Sequence, residues 1–256
     1  MNPDPVGLAA ARERVRRWIS LRDPGEAAAV YYALYHPPQR TQLFLHHDAS
    51  GFVDGFLAVC QTGRDLFRPV VVLRAAEPSI AVTLLQAGLV PGRPYIIQTT
   101  SRLASTLEVV LEVNVERRGV IFALDPTAFR PLPNVLVQPA PGPDRERWRF
   151  VIRSQGRVAA EAGINWRSPF FAELYVWVHP QARGRGWGRA VLSACTASLL
   201  ESQVLPLYVA EESNEAGIRL AETVGYRDTG RREVEVEGVC RRRTPQIVRH
   251  KEVTDA

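Results

Sequence analysis

The chain has almost no lysine, few cysteines and no long apolar run. Lys251 is the single lysine, so arginine carries nearly all of the positive charge. Cys60, Cys195 and Cys240 are odd in number and widely separated, which argues against a disulfide framework or a CxxC metal motif. No apolar stretch reaches the roughly 18 residues of a membrane span, and no basic and apolar leader follows Met1. The sequence therefore predicts a cytoplasmic protein with no metal and no membrane partner.

The residues that are present describe an ordinary globular protein with room for two lobes. The chain has 256 residues, of which 46% are hydrophobic and 23% are charged. A net charge of +5 permits an anionic partner, but the arginines are scattered and no nucleic-acid motif or aromatic platform accompanies them. We therefore expect no nucleic-acid partner. The proline-rich stretch from Pro126 to Pro143 predicts a linker, with domains at residues 1–130 and 131–256.

The most informative segment joins a strand-like run, residues 172–178, to a run with helical spacing, residues 190–200. Glycine tolerates positive φ and lets the backbone approach a ligand, and a helix start offers free N–H groups and a positive dipole. The connection therefore predicts a pyrophosphate site. Its residues are Arg183, Gly184, Arg185, Gly186, Trp187, Gly188 and Arg189.

Two common nucleotide-binding motifs do not match this connection. A P-loop ends in Gly-Lys-Ser/Thr, which is absent, and the dinucleotide fingerprint needs a third glycine where Arg189 stands. The spacing of Arg183, Gly186 and Gly188 instead resembles the Arg-x-x-Gly-x-Gly acyl-CoA signature of the GNAT superfamily of N-acetyltransferases.

A second segment strengthens the resemblance. A strand-like run at residues 205–211 precedes a helix that begins at Ser213 or Asn214 and ends at Gly225. The segment is similar to the family pattern Asn-x-x-Ala-x-x-Leu-Tyr-x-x-x-Gly-Phe. The matching residues are Asn214, Leu220, Gly225 and, conservatively, Tyr226.

Two positions of this second segment depart from the family pattern. Gly217 replaces the alanine, and Ala221 replaces a tyrosine that in the family is thought to return a proton to the leaving CoA thiolate. Water, Ser213, Tyr208 and Tyr226 remain as alternative proton sources.

The resemblance covers residues 147–237 and implies an α/β (α+β) fold. In this fold helices flank a mixed β-sheet, and the central parallel strands diverge to admit acyl-CoA. The strands and helices expected in residues 42–124 follow a similar order but lack a glycine-rich connection. We interpret the N-terminal lobe as a degenerate GNAT-like copy, giving two tandem lobes, with a plain α/β cap as the alternative.

The resemblance also implies a function, namely transfer of the acetyl group of acetyl-CoA to a primary amine of a small molecule or peptide. It places Glu173 as the general base, with Glu211 as the second candidate. Val176, Trp177, Val178 and Asn214 join the arginine and glycine residues above in the CoA site. The alternative is a catalytically silent CoA-binding or regulatory module, which Ala221 favours. The acceptor and the oligomeric state stay open.

Overall fold

The computed structural model describes residues 5–141 and 149–242, which form one mixed sheet with helices on both faces. The helices are α1 (Pro5–Trp18), α2 (Ala27–Val30), α3 (Pro78–Gly88), α4 (Ser101–Val110), α5 (Trp187–Glu201) and α6 (Glu215–Val224). The strands are β1 (Thr41–His47), β2 (Val53–Cys60), β3 (Val70–Ala75), β4 (Pro94–Thr99), β5 (Leu111–Leu124), β6 (Val137–Ala140), β7 (Arg149–Ser154), β8 (Arg157–Arg167), β9 (Phe171–Val178), β10 (Leu205–Glu211) and β11 (Tyr226–Cys240).

The chain repeats one succession of elements. The order β1-β2-β3-α3-β4-α4-β5 recurs as β7-β8-β9-α5-β10-α6-β11. In each copy the third and fourth strands are parallel neighbours and the first three are antiparallel. The predicted mixed sheet in two tandem lobes is therefore confirmed, and the repeated order favours a copy of the fold over a plain cap.

The two lobes exchange their last strands. The spatial order is β1-β2-β3-β4-β11-β5-β10-β9-β8-β7-β6, so β11 lies between β4 and β5, and β5 lies between β11 and β10. β5 and β11 pair over most of their length, with a bulge between Asp228 and Arg232. Because the lobes share one sheet, the predicted division between residues 130 and 131 stays a prediction.

Helices α3 to α6 cover one face of the sheet, and α1 and α2 cover part of the other. Val71 and Leu73 of β3 pack with residues of α3 and α4, whereas Val70 and Val72 of the same strand pack with residues of α1 and α2. Side chains alternate between the two faces along a strand, so these contacts show which face each β3 side chain lies on. We call the side with α1 and α2 the front face. None of the helices described is long and apolar enough to cross a membrane.

Several elements differ by a few residues from the bounds that their sequence pattern predicts. Helical spacing predicts a helix at residues 102–112, but α4 ends at Val110. A strand-like pattern covers residues 119–124, but β5 begins at Leu111 because residues 111–118 pair with β11. Helical spacing also predicts a helix at residues 27–35, which changes after Val30 into a π-helical turn, Tyr31–Tyr35. Residues 135–137 are strand-like, but β6 begins only at Val137, and Val135 is fully exposed.

Candidate active site

The parallel strands β9 and β10 separate in the middle of the C-terminal lobe. They pair from Phe171 with Leu205 to Leu174 with Tyr208, and β9 then continues to Val178 alongside β8 alone. The N–H of His179 donates to the carbonyl of Ala159 at 2.9 Å, on the β8 side. Because backbone groups alternate along a strand, the N–H and C=O of Val178 and Val176 point into the gap. These backbone groups can therefore form hydrogen bonds with an extended ligand, as they would with an added β-strand.

The connection after β9 turns twice through positive φ before α5 begins. Gly184 has φ +77° and Gly186 has φ +73°, and open space surrounds the position of a Cβ at each. Gly186 is the N-cap of α5, and its carbonyl accepts from the N–H of Ala190 at 3.1 Å. The N–H groups of residues 187–189 therefore have no acceptor within the helix. A Cβ at Gly188 would lie 3.1 Å from Val178 Cγ2, so α5 starts close against β9.

Three arginines surround this helix start. Arg183, Arg185 and Arg189 are exposed, and none forms an ion pair with another residue in the described ranges. The Arg185 guanidinium lies 5.2 Å from the Trp187 ring centroid. Free backbone donors, a helix N-terminus and uncommitted guanidinium groups are together suited to a pyrophosphate. The residues present therefore fit the pyrophosphate of a CoA group, although their role in binding stays a prediction.

Asn214 begins α6 as a cap. Its Oδ1 accepts from the N–H of Gly217 at 3.0 Å, so the predicted cap is confirmed, while its role toward CoA stays a prediction. A Cβ at residue 217 would lie 2.7 Å from Asn214 Nδ2, so glycine lets the capping side chain lie close against the first turn of α6. Ala221 is buried and carries no proton donor. The Tyr226 hydroxyl is 2.7 Å from Thr196 Oγ1, and burial raises the pKa of that hydroxyl, which makes Tyr226 a poor substitute.

Glu173 lies on β9 immediately before the strands separate, and its side chain is half-buried on the front face. Its Oε1 accepts from Asn165 Nδ2 at 2.6 Å, and its Oε2 accepts from Trp166 Nε1 at 2.9 Å. Burial raises the pKa of the Glu173 carboxyl, and the two donors oppose that rise. The carboxylate is thus held in one orientation by groups that stabilise its charged form.

The first lobe supplies the wall opposite Glu173. The π-helical turn after α2 places Tyr31 in a stack on Trp166, with ring centroids 5.4 Å apart and planes inclined by 17°. Trp166 and Phe171 are buried in the same cluster, which also contains residues of α1 and α2. Phe171 is a core residue of this cluster, whereas Trp166 also donates to Glu173 and so positions it.

Charged side chains of β11 continue this front face, and sequence reasoning missed them. Arg64, in the loop before β3, donates to both oxygens of Glu235 at 2.6 and 2.7 Å. Arg74 of β3 donates to Glu26 at 2.7 Å. Glu233 is 9% exposed and forms no ion pair or side-chain hydrogen bond within the described residues. The alternation of glutamate with valine over residues 233–237 predicts an acidic strand face, but no local signal shows what covers it.

Glu211, the second predicted carboxylate, has a different environment. Its side chain is 52% exposed and its Oε1 lies 3.3 Å from Arg117 Nε. It is on the front face at the end of β10, opposite Gly119 of β5. It therefore lies on the same face as Glu173 but is neither held by neutral donors nor shielded from water.

The first lobe has no equivalent of the glycine-rich connection. Only Ala76 and Glu77 separate β3 from α3, where the second lobe has residues 179–186. The Arg102 guanidinium donates to the carbonyls of Ala75 and Ala76 at 2.7 and 2.6 Å, and Thr99 Oγ1 donates to that of Leu73 at 3.1 Å. The carbonyls at the end of β3 thus already accept hydrogen bonds from side chains of the same lobe. Across residues 5–141 and 149–242 no three His, Cys, Asp or Glu side chains are grouped to hold a metal ion.

The fork between β9 and β10 and the connection at residues 184–189, which we call the proposed anion cradle, are the two features that suit an acyl-CoA. Comparisons with known proteins agree with this type of fold. The sequence model of the acetyltransferase (GNAT) family matches residues 127–226, which lie mostly in the C-terminal lobe. The search of curated proteins found no match.

Solved structures match nearly the whole chain in fold. A GNAT-family protein from Novosphingobium aromaticivorans is 19% identical with a TM-score of 0.58, over 73% of this chain and 89% of that one. A GCN5-related N-acetyltransferase from Sphaerobacter thermophilus is 14% identical with a TM-score of 0.61, over 94% and 95%. A tandem GNAT protein from the clavulanic acid biosynthesis pathway is 15% identical with a TM-score of 0.51, over 88% and 94%. At these identities the likeness concerns the fold, and together with the family match it supports acyl transfer.

Proposed function

We propose that the protein is an N-acetyltransferase that moves the acetyl group of acetyl-CoA to a primary amine of a small molecule or peptide. One observation carries the proposal. The fork between β9 and β10 opens directly beside Glu173 and is followed by the Gly184–Arg189 anion cradle. The order of these features supports the proposal, because an acyl-CoA presents its acyl group, pantetheine and pyrophosphate in the same order.

Glu173 acts as the general base in this proposal. An amine arrives mostly as ammonium, which has no lone pair, so a proton must leave nitrogen before or during attack on the thioester carbon. A half-buried carboxylate held by Asn165 and Trp166 accepts this proton directly or through water. The raised pKa of the Glu173 carboxyl makes it a stronger base than an exposed glutamate.

Backbone groups of β9 stabilise the charge that develops on the thioester oxygen. The Val178 N–H points into the fork and needs no rearrangement to donate there. As nitrogen bonds to the acyl carbon, the carbon–sulfur bond breaks and the electron pair leaves with CoA sulfur. The thiolate leaves without a protein acid, since a thiol pKa near 8.5 makes it an adequate leaving group. Water then protonates it, consistent with alanine at residue 221.

The second candidate is CoA binding without transfer, and Ala221 is the observation that favours it. The two functions share the Gly184–Arg189 cradle and differ at Glu173. Glu173 lies beside the fork where the acyl group would lie, and this position favours the transferase.

The test of the proposal is acetyl transfer by the whole chain. We expect free CoA and acetylated amine to appear in equal amounts when the protein meets acetyl-CoA and a panel of primary amines. Alcohols of the same carbon skeletons are the matched controls and should give no product. A thiol reagent can measure the released CoA directly, because Cys60, Cys195 and Cys240 are buried and do not compete for the reagent. Tight acetyl-CoA binding with no thiol release from any amine would favour the silent module instead.

A further inference from the structure

The charges of the front face do not balance around Glu233. The titratable and charged groups that face it are Glu173 from β9, Glu235 from β11, Arg74 from β3, Arg64 from the loop before β3 and Tyr32 from the π-helical turn. Arg64 is held by Glu235, and Arg74 is held by Glu26. Arg117 is shared by Glu211, Glu235 and Glu237. Each of these arginines is thus paired with another carboxylate, and Glu173 and Glu233 form no ion pair among the described residues.

Gln98 provides a second, independent sign of a missing partner. It is 7% exposed, and it lies on β4 directly opposite Glu235. Its Nε2 donates to Glu235 Oε2 at 3.3 Å, but its Oε1 is buried and accepts no hydrogen bond in the described part of the chain. A buried oxygen with no donor costs about 1–3 kcal/mol. Gln98 and Glu233 are diagonal neighbours across β4 and β11, close enough for long side chains to share one ligand.

The distance across the sheet separates this pair from the reaction centre. Strands β10 and β5 lie between β9, which carries Glu173, and β11, which carries Glu233. Three strand spacings of about 4.8 Å put the two backbones about 14 Å apart. The side chains reach across part of this distance, because the Glu173 and Glu233 carboxyls repel each other. A single ammonium shared by both carboxyls would bind as tightly from a monoamine as from a diamine, which the titration below distinguishes.

We propose that Glu233 and Gln98 bind a second, positively charged nitrogen of the acceptor, which is accordingly a diamine or another amine with a distal ammonium group. The proposal rests on the proposed function, because Glu173 defines where the reacting nitrogen lies. An ammonium group has three donors and no acceptor, which complements one carboxylate and one amide oxygen. The face has two carboxyl groups without cations, and a diamine supplies two.

Binding at this subsite changes the protonation of Glu233. Burial raises the pKa of the Glu233 carboxyl to about 8, and repulsion from Glu173 adds to the rise, while Arg74 and Arg64 oppose it. At pH 7 the empty subsite therefore holds a protonated, uncharged carboxyl. A bound ammonium favours the carboxylate, so the diamine displaces a proton into the buffer as it binds. A monoamine that reaches only Glu173 weakens this repulsion, so it displaces a smaller part of the Glu233 proton than the diamine does.

Calorimetric titration of the whole chain tests the proposal without any need for catalysis. The probes are α,ω-diaminoalkanes of increasing length, each compared with the monoamine of the same length. We expect the best-fitting diamine to bind about 10- to 100-fold more tightly than its monoamine, the range for a hydrogen bond to a charged group. Titrations at pH 7 in buffers of different ionisation enthalpy should show more proton release for the diamine than for its monoamine.

Three variants complete the design. Glu233→Gln imitates the uncharged carboxyl and should remove both the diamine preference and the proton release. Gln98→Met keeps the volume but removes the amide acceptor, so it should lower the preference in part. Glu237→Gln, on the same strand and face but already paired with Arg68 and Arg117, is the control and should keep the preference.

The outcomes separate this proposal from the transferase proposal. Equal affinity for diamines and monoamines, no binding of any diamine by the folded protein, or an unchanged preference in Glu233→Gln overturns the subsite. If monoamines are acetylated as well as diamines, the subsite is wrong and the transferase stands. If diamine binding depends on Glu233 while no amine is acetylated, the subsite stands and the transferase fails.

Discussion

Replacing Glu173 by glutamine is expected to lower kcat/KM for acetyl transfer by about 10²- to 10⁴-fold, the usual contribution of a positioned general base. The acetyl-CoA affinity should not change, because the cradle at residues 184–189 lies beyond the end of β9. The amide oxygen can accept from Trp166 Nε1, and the amide NH2 requires Asn165 to turn its Oδ1 toward it. The amide accepts no proton from the acceptor ammonium. Steady-state rates at saturating acetyl-CoA measure the loss.

The pH dependence of kcat/KM provides a second test of Glu173 as the base. Burial raises the pKa of the Glu173 carboxyl, and the base acts only when unprotonated. The wild-type kcat/KM should therefore rise with pH through a range above the ordinary titration of glutamate. In the Glu173→Gln variant, the rise of kcat/KM that is due to the Glu173 carboxyl should disappear. The rise that is due to deprotonation of the acceptor amine should remain.

Glu211→Gln is the comparison that decides between the two predicted carboxylates. Because Glu211 is exposed and paired with Arg117, its loss should change kcat/KM by no more than about threefold, in line with the small effects of surface ion pairs. A larger loss in Glu211→Gln than in Glu173→Gln would assign the base to Glu211.

Gly186→Glu is expected to weaken acetyl-CoA binding by at least about 100-fold, roughly the loss of two charge-assisted hydrogen bonds. Gly186 has φ +73° and its carbonyl begins α5, so a side chain there stands over the free N–H groups of residues 187–189. Glutamate adds a negative charge where the pyrophosphate is proposed to lie. Calorimetric titration with acetyl-CoA measures the change.

Gly156→Glu is the matched control for backbone strain. Gly156 has φ +75° with open space around it, in the turn between β7 and β8. Both substitutions force an L-residue into the left-handed region, at a cost of about 1–2 kcal/mol each. Their thermal midpoints should fall by similar amounts, but only Gly186→Glu should lose acetyl-CoA. Equal loss of acetyl-CoA affinity in both variants would contradict a pyrophosphate site at residues 184–189.

Local chemistry explains why the second lobe was predictable. The strand–glycine–helix succession around Val178 and α5 is fixed by apolar periodicity and by residues that permit positive φ. The α6 helix is bounded by a side-chain cap at Asn214 and a glycine at Gly225, with φ +108°. Each of these signals acts within a few residues, so the sequence alone contains it.

The strand exchange has no such local signal. Residues 111–118 are apolar at only some positions and follow a helix without a break, so their pairing with β11 decides that they are a strand. Glu173 was found from the family resemblance, which places a glutamate base on the strand before the signature connection. Glu233 and Gln98 were missed because their proximity requires β11 to be inserted beside β4, more than a hundred residues earlier in the chain.

Titration of the 256-residue chain with acetyl-CoA tests the central claim most directly. We predict micromolar binding of one acetyl-CoA per chain, because the second lobe has the fork and the cradle, while the first lobe has only Ala76 and Glu77 between β3 and α3. Two molecules per chain would contradict the assignment of a single cradle. No binding by the folded protein would contradict the acyl-CoA site itself, and with it acetyl transfer.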